Sequence, residues 1–281
     1  MTRSLKRAAS LVLLGLAFAL TTKAQAQTVY ILGASQQFGS FDLSTRAYTQ
    51  IASPVDSTQD RALETHAGTL YKKKNGTFTL QTVTPGGAVS SVGGTSNYSS
   101  GLASDGTNLY TVSNDTGHLG RFNPITGTYT DIGSGPQSYP ISSDGLQFVG
   151  GTLYALGTGF FPSGAGLYSF NTATGVPTFV GNNGGTIYNG AGGFLSSLFE
   201  SGGTLYGIHD NYGGVRSLYS IETSNGNLTS VGVITGGIPS VVGATVGPAA
   251  SAPEPATLSL LALGALGGVM LRRQGAGRKE A

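Results

Sequence analysis

The chain contains no cysteine and no tryptophan, and only 10% of its 281 residues are charged. Without cysteine there is no disulfide scaffold, no thiolate zinc site and no cysteine nucleophile. The low charge does not signal disorder, because 39% of the residues are hydrophobic and a chain of that composition can bury a core. Long helices are disfavoured by the 46 glycines, each of which costs about 1 kcal/mol relative to alanine in a helix interior. The glycines follow no three-residue period, which excludes a collagen-like rod. What is present in quantity is glycine, serine, threonine and tyrosine, the composition of a turn-rich all-β protein.

The two ends differ from the middle. Arg3, Lys6 and Arg7 precede an apolar run from Leu11 to Leu20, and Ala24-Gln25-Ala26 follows. A basic region, an apolar region and small residues at cleavage spacing make a secretory signal peptide over 1–26, cut before Gln27. The apolar run is half the ~20 residues that a membrane span needs. At the other end, residues 256–271 carry no charge, and Arg272, Arg273, Arg278 and Lys279 follow them. As a helix this stretch reaches about 24 Å, enough to span a bilayer with snorkelling arginines and local thinning. Its basic flank places the C-terminus in the cytoplasm and the bulk of the chain outside.

Pro253-Glu254-Pro255 stands directly before that segment. A Pro-Glu-Pro motif, a short apolar helix and a terminal arginine cluster resemble the PEP-CTERM sorting signal of Gram-negative bacteria. The resemblance covers about the last 30 residues. It implies recognition by an exosortase, a membrane transpeptidase-like protease that acts near the motif. It also implies an inner-membrane-anchored precursor that is then released or transferred to the cell surface. Such tails also go by the description of an ice-binding protein C-terminal domain, but nothing in these residues argues for ice binding. The expected organisation is therefore a signal peptide over 1–26, a repeat domain over 27–252 and a sorting signal over 253–281.

Setting both ends aside leaves seven basic and eleven acidic residues, a net charge near −4. Nucleic acid needs a basic face, so it is excluded as a partner. Lys72-Lys73-Lys74 is the one basic run, and a solvated hairpin is expected there.

The middle repeats. Tyr30, Tyr71, Tyr110, Tyr154 and Tyr206 end short strand-like segments such as Gly151-Thr152-Leu153-Tyr154, at spacings of 41, 39, 44 and 52 residues. A second element follows each: Phe41-Asp42, Leu80-Gln81, Phe122-Asn123, Phe170-Asn171 and Ile221-Glu222. In the clearest copies it opens a hairpin in which Gly127, Gly175 and Gly226 take the turn position needing φ > 0. A period near 45 residues with several short strands per repeat indicates a β-propeller. Five four-stranded blades are expected, with innermost strands around Arg61–Thr65, Gly101–Ser104, Gly145–Val149, Gly193–Phe199 and Ser240–Thr245. The last of these completes the first blade and closes the ring. The hairpins resemble those of bacterial propeller families, including quinone-dependent and lactonase-like ones. The absence of tryptophan departs from the quinoprotein pattern, in which that residue docks neighbouring blades, so a quinone cofactor is not expected.

Catalytic signals are sparse. His66, His118 and His209 fall at different places in the repeat, so a convergent metal site is not expected. There is no G-x-S-x-G elbow. Glu64 and Glu200 are the glutamates near innermost strands, on blades that are not adjacent, which argues against the paired carboxylates of glycoside hydrolysis. Asn114-Asp115 and Asp210-Asn211 offer hard oxygens for Ca²⁺, although both residue types are ordinary turn formers. The strongest binding candidates are Tyr98, Tyr139 and Tyr188, in the connections entering three blades, with Tyr212 on the same rim beside Asp115, His118 and Asp210. Exposed tyrosines next to short polar groups suit stacking on sugar rings. The sequence thus points to a non-catalytic surface propeller, with polysaccharide as the candidate ligand; the alternative is a secreted propeller enzyme of glycoside hydrolase or lactonase-like type.

Overall fold

The computed structural model describes residues 27–53, 60–74, 79–94, 99–113, 117–132, 141–157, 165–182, 188–189, 193–211 and 214–248. The chain divides into two units, 1–247 and 248–281. The signal peptide and the sorting tail, with its expected helix over 256–271, lie outside the described residues, and the first unit is the one treated below.

Short alternating segments broken by glycine pair into sheets rather than helices. Blade one holds β1 (Thr28–Gly33), β2 (Phe38–Asp42) and β3 (Tyr48–Ala52). Blade two holds β4 (Asp60–His66), β5 (Thr69–Lys74), β6 (Leu80–Val83) and β7 (Val89–Gly93). Blade three is β8 (Ser99–Ser104), β9 (Leu109–Ser113), β10 (Leu119–Phe122) and β11 (Tyr129–Asp131). Blade four is β12 (Ile141–Val149), β13 (Thr152–Gly157), β14 (Gly166–Phe170) and β15 (Pro177–Gly181). Blade five has β16 (Tyr188–Asn189), β17 (Gly193–Ser201), β18 (Thr204–Asp210), β19 (Arg216–Ile221) and β20 (Leu228–Ile234), and β21 (Val241–Val246) follows.

The last strand does not start a sixth sheet. It pairs antiparallel with β1, Val29 opposite Val246 and Ile31 opposite Ala244, so blade one runs β21-β1-β2-β3. The innermost strands β4, β8, β12, β17 and β21 each neighbour the next, and β21 neighbours β4. This is a five-bladed propeller closed by pairing the two ends of the domain, which covers the edge that β1 would otherwise leave open.

The repeated Leu-Tyr pair is explained by a strand buried on both faces. Leu70, Leu109, Leu153 and Leu205 face the preceding blade, whereas Tyr30, Tyr71, Tyr110, Tyr154 and Tyr206 face the following one. Each of the five apolar clusters is a seam between two blades; Leu109 and Phe122 of blade three, for instance, meet Ala62, Tyr71 and Leu80 of blade two. Among the described residues the apolar clusters lie in the seams, so every seam carries its own apolar set, and this is why the motif recurs.

The turn glycines have a second constraint besides their dihedral. Gly127 has φ 69°, and a methyl group there would lie 2.4 Å from the carbonyl oxygen of Gly93, at the end of the outermost strand of blade two. The hairpin of each blade therefore docks against the outer strand of its predecessor at van der Waals distance. In blade one the corresponding residue is Arg46, held at φ 57° without glycine; the Arg46 and Gly127 N–H groups donate to the Asp42 and Asn123 carbonyls at 2.7 and 2.8 Å.

Two sequence expectations are corrected. The blade-two hairpin is formed by Val83-Thr84 rather than Leu80-Gln81: Val83 is opposite Leu70, and the Thr84 N–H donates to the Ala88 carbonyl. Lys72 and Lys73 are not solvated. They lie within β5 at 0% and 1% exposure, and the Lys73 ammonium reaches Thr111 Oγ1 of blade three at 3.4 Å. A second strand is covered on both faces, so its charges are buried with it.

Candidate functional site

The strand order gives the propeller two unlike rims. One carries the turns joining first to second strands and the hairpins joining third to fourth, which lie among the described residues. Asp42, Asn123 and Asn171 each accept two backbone N–H bonds through Oδ1, between 2.9 and 3.2 Å, from the residues two and three positions on. Glu222 does related work with its side chain, accepting from Ser224 and Asn225. These side chains are committed to the turns through the bonds named.

The opposite rim receives the connections into the innermost strands and those joining second to third strands. Tyr98, Tyr139 and Tyr212 lie outside the described residues, as do Asn114 and Asp115. The backbone of Tyr188 is described. It forms β16, pairing opposite Phe194 on the inner edge of β17, so blade five gains a fifth strand beside the channel. A two-residue strand leaves no periodic signal, and repeat counting misses it.

On the same rim Asp210 and Asn211 are arranged for structure. Asp210 Oδ2 accepts from Arg216 Nη2 at 3.0 Å and from Ser240 Oγ at 2.8 Å, joining blade five to the closing segment. Asn211 Oδ1 accepts from the Val215 N–H at 3.1 Å. The Asp210 carboxylate is thus paired with a guanidinium. The facing register of Asp210 and Arg216 across the β18–β19 hairpin is a signal the sequence does contain, since the residues are oppositely charged and flank one turn.

The histidines do not meet. His66 Nδ1 lies 2.8 Å from Ser104 Oγ, His118 Nδ1 lies 3.0 Å from Asp131 Oδ2, and His209 rests edge-on against Tyr219. Burial depresses the pKa of both His66 and His209. His66 is 7% exposed. Among the described residues no three of His, Asp and Glu gather as metal ligands.

Around the channel, the position opposite the repeated tyrosine is Glu64, Ala103, Gln147, Phe199 and Thr245 in successive blades. Glu64 is 4% exposed. Desolvation pushes its carboxyl well above the ordinary carboxylate range, the charge of Glu200 adds to this, and the N–H groups of Ser104 and Thr65 oppose it. Glu64 and Glu200 sit on blades two and five with blade one between them, and Glu200 Oε1 accepts from the Gly203 N–H in its own turn. One carboxyl is buried and the other is held in a turn.

Similarity to known proteins divides in the same place as the chain. Residues 251–274 match the family model described as the PEP-CTERM protein-sorting motif. The tail is a sorting signal. It implies an exported protein, processed by an exosortase from a membrane-anchored precursor to the cell surface. No curated protein matches the chain. Among solved structures, the chain is similar to one from the crystal structure of a nidogen–laminin complex, with TM-score 0.51 and 10% identity over 79% of this chain and 98% of that one. It is also similar to a protein of unknown function from Bacteroides thetaiotaomicron, with TM-score 0.53 and 14% identity over 81% of this chain, and spans 59% of that protein. At these identities the likeness concerns the propeller fold.

Proposed function

We propose that the mature protein is a non-catalytic propeller of the cell surface or extracellular matrix, and that it binds polysaccharide through the rim bearing Tyr98, Tyr139, Tyr188 and Tyr212. On this reading the secretion machinery cleaves before Gln27, and the exosortase reads Pro253-Glu254-Pro255 and the arginines at 272 and 273. The observation that carries the binding role is the asymmetry of the rims. One is a ring of hairpin turns braced by their own side chains, and the other receives the connections in whose sequence Tyr98, Tyr139, Tyr188 and Tyr212 fall. Asp42 and Glu222 engaged in turns, Asp131 and Asp210 paired with His118 and Arg216, and His66 set against Ser104 of the neighbouring blade support a binding role over catalysis. Tyrosine rings on several blades give one chain several weak contacts that add through multivalency.

Replacing Tyr98, Tyr139 and Tyr188 together by alanine tests this. Affinity electrophoresis through gels containing the producing cell's surface polysaccharide should show retarded wild type and an unretarded variant of unchanged melting temperature. A variant that is folded and equally retarded, or a wild type that is not retarded at all, overturns the reading.

A further inference from the structure

Blade three departs from its sisters at one position. In the third strand, the residue opposite the repeated tyrosine is Ser40, Thr82, Ser169 and Ser220 in blades one, two, four and five, whereas in blade three it is Arg121. A small hydroxyl is sufficient for the fold there, as four copies show, so the seam does not require the guanidinium.

Arg121 is exposed and lines a groove of about 520 Å³ between the β8–β9 turn and the β10–β11 hairpin. The remaining lining is hydroxyl and amide: Thr107 and Asn108 from the turn, and Asn123, Thr126, Thr128 and Thr130 from the hairpin and β11. No apolar side chain lines it. The volume lies in the range of small-ligand sites, and a wall of neutral donors and acceptors with one fixed cation matches a polyhydroxylated ligand carrying one anionic group. The cation is placed by the strand register, in which Arg121 stands opposite Tyr110. The facing turn is fixed by Asp105, whose Oδ1 accepts the N–H groups of Thr107 and Asn108, both at 2.7 Å. A strand on one side and a braced turn on the other thus shape the groove before any ligand arrives.

We propose that this groove binds the carboxylated sugar units of an acidic polysaccharide, with Arg121 receiving the uronate carboxylate and the threonine wall receiving the ring hydroxyls. A planar guanidinium meets a carboxylate through two parallel hydrogen bonds. A peptide ligand would bring apolar side chains for which the groove has no surface. The inference rests on the saccharide-binding reading for its ligand class alone, since the groove shares no residue with the tyrosine rim.

The experiment titrates the mature domain with trigalacturonate by calorimetry, beside maltotriose as the neutral sugar and triglutamate as the acidic peptide. Trigalacturonate should bind saturably, with affinity that falls as salt rises, and the other two should not bind. Arg121→Ser installs the residue type of the sister blades, so the melting temperature should hold while trigalacturonate affinity falls at least about tenfold. Arg121→Lys should recover only part of it, because an ammonium lacks the paired geometry. The Tyr98, Tyr139 and Tyr188 triple variant should bind trigalacturonate as wild type does, which separates failure of this site from failure of the rim. No binding of trigalacturonate, undiminished binding by Arg121→Ser, or equal binding of triglutamate overturns the proposal.

Discussion

At the scale of single residues, the propeller places ionisable groups where a strand buried on both faces leaves no solvent. Glu64 is the clearest case. Its pKa is raised in the folded state above the ordinary 4.5. The folded protein therefore holds a proton that the unfolded chain releases, and the associated stability is fully present below pH 4.5 and is lost as the pH rises through the folded value. Each pH unit inside that window removes up to about 1.4 kcal/mol, or about 3–6 °C in a domain of this size. Glu64→Gln should abolish the slope. The variant should melt together with the wild type near pH 4 and several degrees above it at pH 8. His66 and His209 act in the opposite sense, losing stability as the pH falls below 6.5, but both proteins share them, so the difference reads Glu64. Equal melting temperatures across the whole range would show that Glu64 is not held protonated. None of this is visible in sequence. Glu64, Lys72 and Lys73 look like surface residues there, and their burial follows from blades stacked on both sides.

At the scale of elements, the repeat is legible because each blade must solve the same seam twice. The Leu-Tyr pair and the hairpin glycines locate the second and third strands, and the innermost strands fall where the spacing puts them. Blade two breaks the hairpin pattern because Thr84 opens its turn in place of Asn or Asp, so the true partner of Leu70 is displaced by three residues from the one the motif suggests. The most consequential element is β21, which owes its place to the unfilled edge of β1. Besides its ladder with β1, Thr245 Oγ1 accepts the Thr65 N–H of blade two at 3.0 Å, and Val241 and Ala244 are buried. Truncation after Gly237 removes the strand, uncovers the edges of β1 and β4 and should give a chain that associates and melts well below the full domain. Truncation after Gly247, which keeps β21 and removes the tail, is the matching control and should leave the melting temperature unchanged. A Gly237 truncation that stays monomeric with the control's melting temperature would contradict ring closure by this strand.

At the scale of the whole molecule, address and activity reside in different parts. The address is legible to the residue, because sorting enzymes read short linear motifs. Changing Pro253-Glu254-Pro255 to alanines should leave the tail uncleaved and the protein in the inner-membrane fraction, seen as a heavier band on immunoblotting; normal processing would remove the exosortase route. The proposed binding role is less legible, because its tyrosines fall in connections that do not repeat, and a period cannot locate them. The central claim is that this rim, and not the channel, engages the extracellular ligand. Hydrogen–deuterium exchange of the mature domain with and without surface polysaccharide tests it most directly. The account predicts slowed exchange in peptides covering 95–98, 133–140, 183–192 and 212–213, with the turns of blades one, two, four and five unchanged. Saturating ligand that leaves all four of those segments unprotected, or protects the strands around the channel instead, would contradict it.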